Sequence, residues 1–165
     1  MKRFLISVLS CALASFAMAQ NVNENDNLRG VKVCIDDASF TAGIGALGAT
    51  SQTLAQGLYD YFVNRMKAEK IDFLENGTKD CVDFIVNLDF GATTGTPRAW
   101  YGELSVEDDG AYASLDAKDK YRLPVTIWSN SYYGVLTDNV GLADFLLTQG
   151  KTIIDEFVKA YKSAN

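Results

Sequence analysis

The strongest strand signal in the chain is the stretch CVDFIVNLDF, residues 81–90. Apolar and polar side chains alternate in it, and the apolar ones take the even positions: Val82, Phe84, Val86, Leu88 and Phe90. Because successive side chains of a strand point to opposite faces, this pattern predicts a strand with one apolar face. An apolar sheet face of this kind requires a covering layer.

Two amphipathic helices can supply that layer. The first is predicted to be capped by Thr50 or Ser51 and to fade near Lys70, with an apolar stripe of Leu54, Leu58, Tyr61, Phe62 and Met66. The second is predicted to be capped by Asp138 or Asn139, with a stripe of Leu142, Phe145, Leu146, Ile153, Phe157 and Tyr161. Spacings of three and four residues place each set on one side of its helix.

Further strands are predicted from alternation at residues 31–35, 71–75, 99–107, 111–117 and 123–136. The element order is then β-α-β-β-β-β-β-α. This order predicts an α+β fold, a two-layer sandwich in which both helices cover one face of a mostly antiparallel sheet. The other face stays open, and we expect the function there.

The first nineteen residues have the features of a secretory signal peptide. Lys2 and Arg3 precede an apolar run, and a small-x-small site ends at Ala19. We interpret residues 1–19 as the signal, 20–30 as a mobile N-terminal arm and 31–165 as a single domain. The alternative is a lipoprotein processed at Cys11. After cleavage near Ala19 we expect a periplasmic or secreted protein.

Charge and composition exclude several functions. The net charge is −6, which disfavours nucleic acid, and the chain contains no histidine. Histidine is the commonest general base and a common metal ligand, so we predict a non-enzymatic protein without metal or other cofactor. No second apolar run is long enough for a membrane span in the mature chain.

Two cysteines remain after the predicted cleavage, Cys34 and Cys81. An even number in an exported chain favours a disulfide, and both cysteines are out of phase with the apolar residues of their strands. We therefore predict a Cys34–Cys81 bond on the open face. Two unrelated buried thiols are the alternative.

A glycine motif, G-x-G-x-x-G, occurs at Gly43, Gly45 and Gly48. A dinucleotide loop of this type turns immediately after a strand, whereas seven residues separate the predicted first strand from Gly43. The motif by itself is weak evidence. We interpret the glycines as a flexible connection to the first helix and not as a nucleotide site.

Aromatic residues mark the candidate binding surface. We predict that the last strand turns Val125, Ile127, Tyr133 and Val135 toward the helices, which places Trp128 and Tyr132 on the open face. Tyr101 joins them if Leu104 faces the core. The three rings can then form a patch that binds a partner protein or stacks on a glycan. The alternative is that they shelter the disulfide or pack on the N-terminal arm.

The pattern of elements resembles the small α/β domain of the TolB amino-terminal, LpoB and CsgG-like envelope proteins. The resemblance is carried by Leu54, Ala55, Gly57 and Leu58 in the first helix, and by the run Val82-Asp83-Phe84-Ile85 in the following strand. It implies a non-catalytic adaptor that acts through protein contacts in the cell envelope. A secreted or envelope protein is therefore the expected partner, with a glycan as the alternative.

Overall fold

The computed structural model describes residues 24–76, 78–79, 81, 84–108, 124–137 and 141–165. After a short 3-10 helix over Glu24–Leu28, the elements in chain order are β1 (Cys34–Ile44), α1 (Thr50–Ala68), β2 (Leu74–Glu75), β3 (Phe84–Ala92), β4 (Arg98–Asp108), β5 (Val125–Leu136) and α2 (Leu142–Ala164). The predicted two-layer α+β sandwich is confirmed. The strand predicted over 111–117, both candidate caps of the second helix and the predicted signal peptide lie outside the described residues.

The five strands form one sheet in the order β2-β1-β3-β4-β5. Strand β1 runs parallel to both of its neighbours, while the β3–β4 and β4–β5 pairings, which are the longest, are antiparallel. The β1-α1-β2 segment is therefore a crossover between parallel strands, and the rest of the sheet is a meander.

Both helices cover the same face of the sheet. The predicted stripe of α1 is buried at Leu54, Leu58, Phe62 and Met66, and that of α2 at Leu142, Leu146, Ile153 and Phe157. The rings of Phe62 and Phe157 stack at 5.4 Å between the helices, and Phe40 of β1 meets Phe62 edge-on at 5.6 Å. The even-numbered side chains of β3, as predicted, complete this core at Val86, Leu88 and Phe90.

Strand β1 is longer than its sequence pattern predicts. It continues beyond Ile35 to Ile44, so Gly43 lies inside the strand and pairs with Gly91 of β3. The pattern was interrupted because the register shifts between Ile35 and Phe40, which breaks the alternation over the polar residues in between. The predicted glycine connection is therefore shorter, and only residues 45–49 separate β1 from α1.

The prediction of a mobile arm is wrong for residues 24–30. Leu28 is fully buried in the core, and its carbonyl oxygen accepts a hydrogen bond of 3.0 Å from the side-chain amide of Asn165. The amide of Gly30 donates to the side-chain oxygen of the same asparagine at 2.6 Å. The segment looked unpatterned because a single leucine anchors it, and the remaining contacts are made by polar side chains.

The predicted disulfide is present between Cys34 and Cys81, whose Cα atoms are 5.0 Å apart. Cys34 is the first residue of β1 and pairs in register with Ile85. The next residue, Ile35, is buried under the helices together with Val86, so Cys34 lies on the face opposite the helices. Cys81 lies before β3 and not within it, so the bond joins the β2–β3 connection to β1.

No helix in the described part of the chain combines the length and the apolarity that a membrane crossing requires.

Breaking the disulfide should destabilise the fold. The bond closes a loop across a sequence separation of 47 residues. In the chain-entropy model such a loop contributes at most about 4 kcal/mol to the free energy of unfolding. We expect the double variant Cys34→Ala/Cys81→Ala to unfold at a clearly lower urea concentration than the oxidised protein. An unchanged midpoint, together with two thiols that react with Ellman's reagent in the native wild type, would contradict the bond.

Glycine 102 should be intolerant of a side chain. A Cβ at this position of β4 would overlap the buried ring of Phe90, which has no free space to enter. We expect Gly102→Ala to lower the free energy of unfolding by about 1–3 kcal/mol, the usual range for overpacking. Gly43→Ala is the matched control, because the nearest atom to its added Cβ is 3.8 Å away. Urea unfolding of both variants measures the difference, and equal midpoints would contradict the packing.

Candidate functional site

The open face of the sheet carries a row of residues that runs across four strands. In register from β1 to β5 they are Gly43, Gly91, Tyr101 and Tyr133. Gly43 at one end of the row leaves its backbone exposed, Gly91 next to it is buried, and two tyrosines at the other end project aromatic rings. No helix in the described residues lies above this face, because α1 and α2 both pack on the reverse side.

Tyr101 is held in a defined position on this face. A Cβ on Gly91 would overlap the Tyr101 ring, so the ring lies directly over that glycine. Its hydroxyl donates a hydrogen bond of 2.5 Å to Asp89, which also accepts one from Thr41. The bond to Asp89, together with partial burial and the Asp89 charge, raises the pKa of Tyr101 above its usual value. The ring is thus anchored at both ends while 46% of the residue stays exposed.

Beside Tyr101 the last strand exposes two more large side chains. Tyr133 is 86% exposed and Val135 is 66% exposed, and both are on the open face because Tyr133 pairs with Tyr101. We call Tyr101, Tyr133 and Val135 the tyrosine face. Single exposed apolar residues are ordinary, but three adjacent ones on a flat surface are typical of an interaction site.

A cavity of about 360 Å³ adjoins the tyrosine face at the carboxyl ends of β1 and β3. The ring of Tyr101 and the backbone of Gly43 and Gly91 line it, together with Ala92, Thr93, Ala99 and Trp100. On the other side of the tyrosines, the next row carries hydrogen-bonding groups at Asp89, Glu103 and Ser131, in register. The site thus combines aromatic surface, a small cavity and nearby acceptors.

The predicted aromatic patch of Tyr101, Trp128 and Tyr132 does not form. Tyr101 is on the open face as predicted, but the placement of Trp128 and Tyr132 there is wrong. Trp128 is only 6% exposed and meets Phe157 of α2 edge-on at 5.2 Å, so it belongs to the core beneath the helices. Its indole N–H donates a hydrogen bond of 3.3 Å to the side chain of Asn25. For Trp128 this contact agrees with the alternative interpretation, in which the rings pack on the N-terminal arm.

Tyr132 is turned to the covered face by a carboxylate. Its hydroxyl donates a hydrogen bond of 2.6 Å to Glu156 of α2, and the side-chain amide of Asn130 donates to the same carboxylate. The bond to Glu156 raises the pKa of Tyr132 above its usual value. Among the described residues no buried side-chain nitrogen or oxygen lacks a hydrogen-bond partner, so this polar cluster is satisfied.

Tyr133, Val135 and Glu156, which determine the site, were not predicted from the sequence as site residues. One signal in the sequence was available, namely Gly134 in the middle of β5. A Cβ there would be 2.9 Å from the indole nitrogen of Trp100, so this glycine marks a crowded face. From Trp128 to Leu136 the even positions of β5 are therefore the inner ones and the odd positions are exposed, so the predicted inward placement of Tyr133 and Val135 is wrong.

The glycine motif does not form a loop around a ligand. Gly43 is a strand residue, while Gly45 and Gly48 lie in the turn before α1, and Gly48 has the positive φ of 51° that favours glycine. Neither Thr50 nor Ser51 caps the helix; the Ser51 hydroxyl instead donates to the carbonyl of Ile44 at 2.9 Å. Among the residues that the structure describes, no group of three or more histidine, cysteine, aspartate or glutamate side chains is placed to hold a metal ion.

No known protein family matches this chain, and no curated protein is significantly similar to it.

The burial of both tryptophans can be tested by quenching. Trp128 is 6% exposed and Trp100 is 8% exposed, so iodide in solution should reach neither indole ring. We expect blue-shifted emission and almost no iodide quenching in the native protein, with full quenching in urea. Trp128→Phe is the matched variant, and it should not change the quenched fraction. A quenchable component that disappears in this variant would show that Trp128 is exposed and would contradict its burial.

Proposed function

We propose that this protein is an exported, non-catalytic binding domain that contacts a partner protein through the tyrosine face. The proposal rests on one observation, namely which side chains β5 exposes and which it turns inward. This strand turns Tyr133 and Val135 to solvent and turns Asn130 and Tyr132 inward to Glu156.

This arrangement of the β5 side chains costs folding free energy. Burying a valine side chain stabilises a fold by about 1.5–3 kcal/mol, and Val135 forgoes most of that contribution at 66% exposure. On the inner face, hydrogen bonds are made by polar groups that water would satisfy in the unfolded chain, so their net contribution to stability is small. Positions at which a chain departs from the arrangement that serves folding best are often functional sites.

The chemistry of the tyrosine face fits a protein partner. Tyrosine is enriched in the centres of protein interfaces because it buries a large, rigid ring and keeps a polar hydroxyl. Tyr101 is already fixed by Gly91 and Asp89, so binding would order little further in that ring. Glu103 and Ser131 in the adjacent row would then belong to a polar rim.

Two features support an exported setting and an envelope role. The Cys34–Cys81 disulfide is of the type that persists in oxidising compartments. The element order resembles the small α/β domains of envelope adaptor proteins, which act through protein contacts. We therefore propose the periplasm or the extracellular space as the location, and a secreted or envelope protein as the partner.

A glycan is the second candidate ligand. The specific observation is the row of oxygen acceptors on Asp89, Glu103 and Ser131 beside the two tyrosine rings. A sugar ring presents an apolar face that packs on an aromatic ring, and hydroxyls that donate to carboxylates. The same surface would bind such a ligand without any covalent step.

Site-specific photo-crosslinking in the producing cell tests the proposal. We expect a photoreactive phenylalanine analogue at Tyr133 to give a discrete crosslinked protein of higher mass. The same analogue at Asn64, which is exposed on α1, should give none. Gly91→Ala, which displaces the Tyr101 ring without removing it, should weaken the crosslink, whereas Gly57→Ala on α1, where the added Cβ meets only an ordinary contact, should not.

The outcomes separate the two candidates. Equal crosslinking from Tyr133 and Asn64 would contradict a partner on the tyrosine face. Loss of crosslinking together with retention of the purified protein on an envelope polysaccharide column, sensitive to Gly91→Ala, would favour the glycan. A crosslinked product of twice the chain mass would report self-association and would not count as a partner.

A further inference from the structure

Two carboxylates lie side by side on the open face, next to the tyrosine face. Asp89 of β3 and Glu103 of β4 are directly opposed in the antiparallel ladder, so their side chains share one side of the sheet. Directly opposed residues place their Cβ atoms about 5 Å apart, and like charges in this arrangement lower the stability of a sheet. We call these two residues the acid pair.

No cation among the described residues neutralises the acid pair. None of the ion pairs in the described part of the chain involves either carboxylate. Asp89 accepts hydrogen bonds from two neutral hydroxyls, those of Thr41 and Tyr101, and the exposed Glu103 accepts none from any described group. A carboxylate has about four acceptor positions, so about half of those on Asp89 and all of those on Glu103 are available to a ligand.

The acid pair and the tyrosine rings border the same patch of surface. The pKa of Tyr101 is raised by its hydrogen bond to Asp89, by partial burial and by the charges of Asp89 and Glu103, so both carboxylates act on this hydroxyl. Tyr133 is the diagonal neighbour of Glu103, because Glu103 pairs with Ser131 two residues before it. Diagonal neighbours on antiparallel strands are about 7–8 Å apart, within reach of an aromatic side chain.

We propose that the partner protein binds the tyrosine face with a basic side chain that lies between Asp89 and Glu103. This inference rests on the proposed function, since it names the chemistry of the partner at the same site. Charge complementarity selects the occupant, because a cation at this position removes the repulsion within the acid pair. The net charge of −6 adds a long-range attraction for a basic partner.

Arginine suits the patch better than lysine. Its planar guanidinium group has five donors, so it can bond both carboxylates and still lie over an aromatic ring. The ring of Tyr133, which is 86% exposed, supplies that surface at the diagonal position from Glu103. Lysine would neutralise the same charges as a compact ammonium group without stacking on the ring.

The spacing between the acid pair and the tyrosine face predicts the pattern of the partner segment. Tyr101 and Glu103 are two residues apart along β4, about 7 Å at the rise of a strand. In an extended segment, side chains two positions apart are separated by the same distance and point to the same side. An extended partner segment that lies along the strands would therefore carry a basic residue and an apolar residue two positions apart.

The repulsion within the acid pair can be measured without the partner. We expect Glu103→Gln to shift the urea midpoint of the free protein upward, because it removes the like charge opposite Asp89. Glu103→Lys should shift it further, because the new ammonium group can pair with Asp89. A lower midpoint for Glu103→Gln would show that a cation of the chain itself already balances the pair, and it would overturn the proposal.

A random peptide library displayed on phage is the probe for binding to the immobilised protein. We expect the enriched peptides to share a basic residue two positions from an apolar one. Their affinity should fall about two- to fivefold for Glu103→Gln, the usual effect of one exposed ion pair, and about tenfold or more for Glu103→Lys, which repels the cation. Asp60→Lys, the same charge change on the exposed side of α1, should leave binding unchanged.

The outcomes separate a failure of this inference from a failure of the proposed function. Enriched peptides without basic residues, or peptides that bind Glu103→Lys undiminished, would overturn the basic contact and leave the tyrosine face as a protein-binding site. In the producing cell, a crosslink from Tyr133 that is insensitive to Glu103→Lys would do the same. If no peptide is enriched and the polysaccharide column still retains the protein, both proposals are overturned in favour of a glycan.

Discussion

The carboxylate of Glu156 determines which side of β5 faces the helices. It lies on α2 and accepts hydrogen bonds from Asn130 and Tyr132, two side chains on the same face of the strand. Because strand side chains alternate, turning these two inward turns Tyr133 and Val135 outward. The aromatic surface of the protein is therefore a consequence of a polar contact on the opposite side of the sheet.

Close packing on the covered face makes this orientation of β5 hard to reverse. Gly102, Gly134 and Gly150 each lie against a large side chain: Phe90, Trp100 and Leu58 respectively. A glycine at these points lets the neighbouring ring or branched chain approach the backbone, so the two layers interlock. A one-residue slip of β5 would remove Gly134 from beneath the Trp100 indole and replace it with Tyr133 or Val135. The structure thus selects one face of β5 by sterics as well as by hydrogen bonding.

Several parts of this arrangement could be predicted from the sequence because their patterns are local. The stripes of α1 and α2, the alternation of β3 and the pairing of the two cysteines all follow from periodicity or parity within one segment. Strand β5 could not be predicted in this way. Its inner residues include the half-buried Asn130, which contacts Glu156 only because the chain returns 26 residues later. Aromatic residues are ambiguous by themselves, since both Trp128 and Tyr133 carry an apolar body and a polar group. The ordered position of the N-terminal segment could not be predicted for the same reason, because Asn165 at the far end of the chain supplies its hydrogen bonds.

The disulfide and the tyrosine face lie on the same side of the sheet but at opposite ends. Cys34 pairs in register with Ile85, and Gly91 beneath the Tyr101 ring is six residues further along β3, about 20 Å at the rise of a strand. The bond fixes the end at which the β2–β3 connection meets β1, where β2 contributes only two paired residues of its own. The other end keeps the exposed backbone of Gly43 and the exposed rings of Tyr101 and Tyr133. Covalent reinforcement is thus placed where the sheet is weakest, and the surface available for contact is placed where the long β3–β4–β5 ladders already hold the backbone.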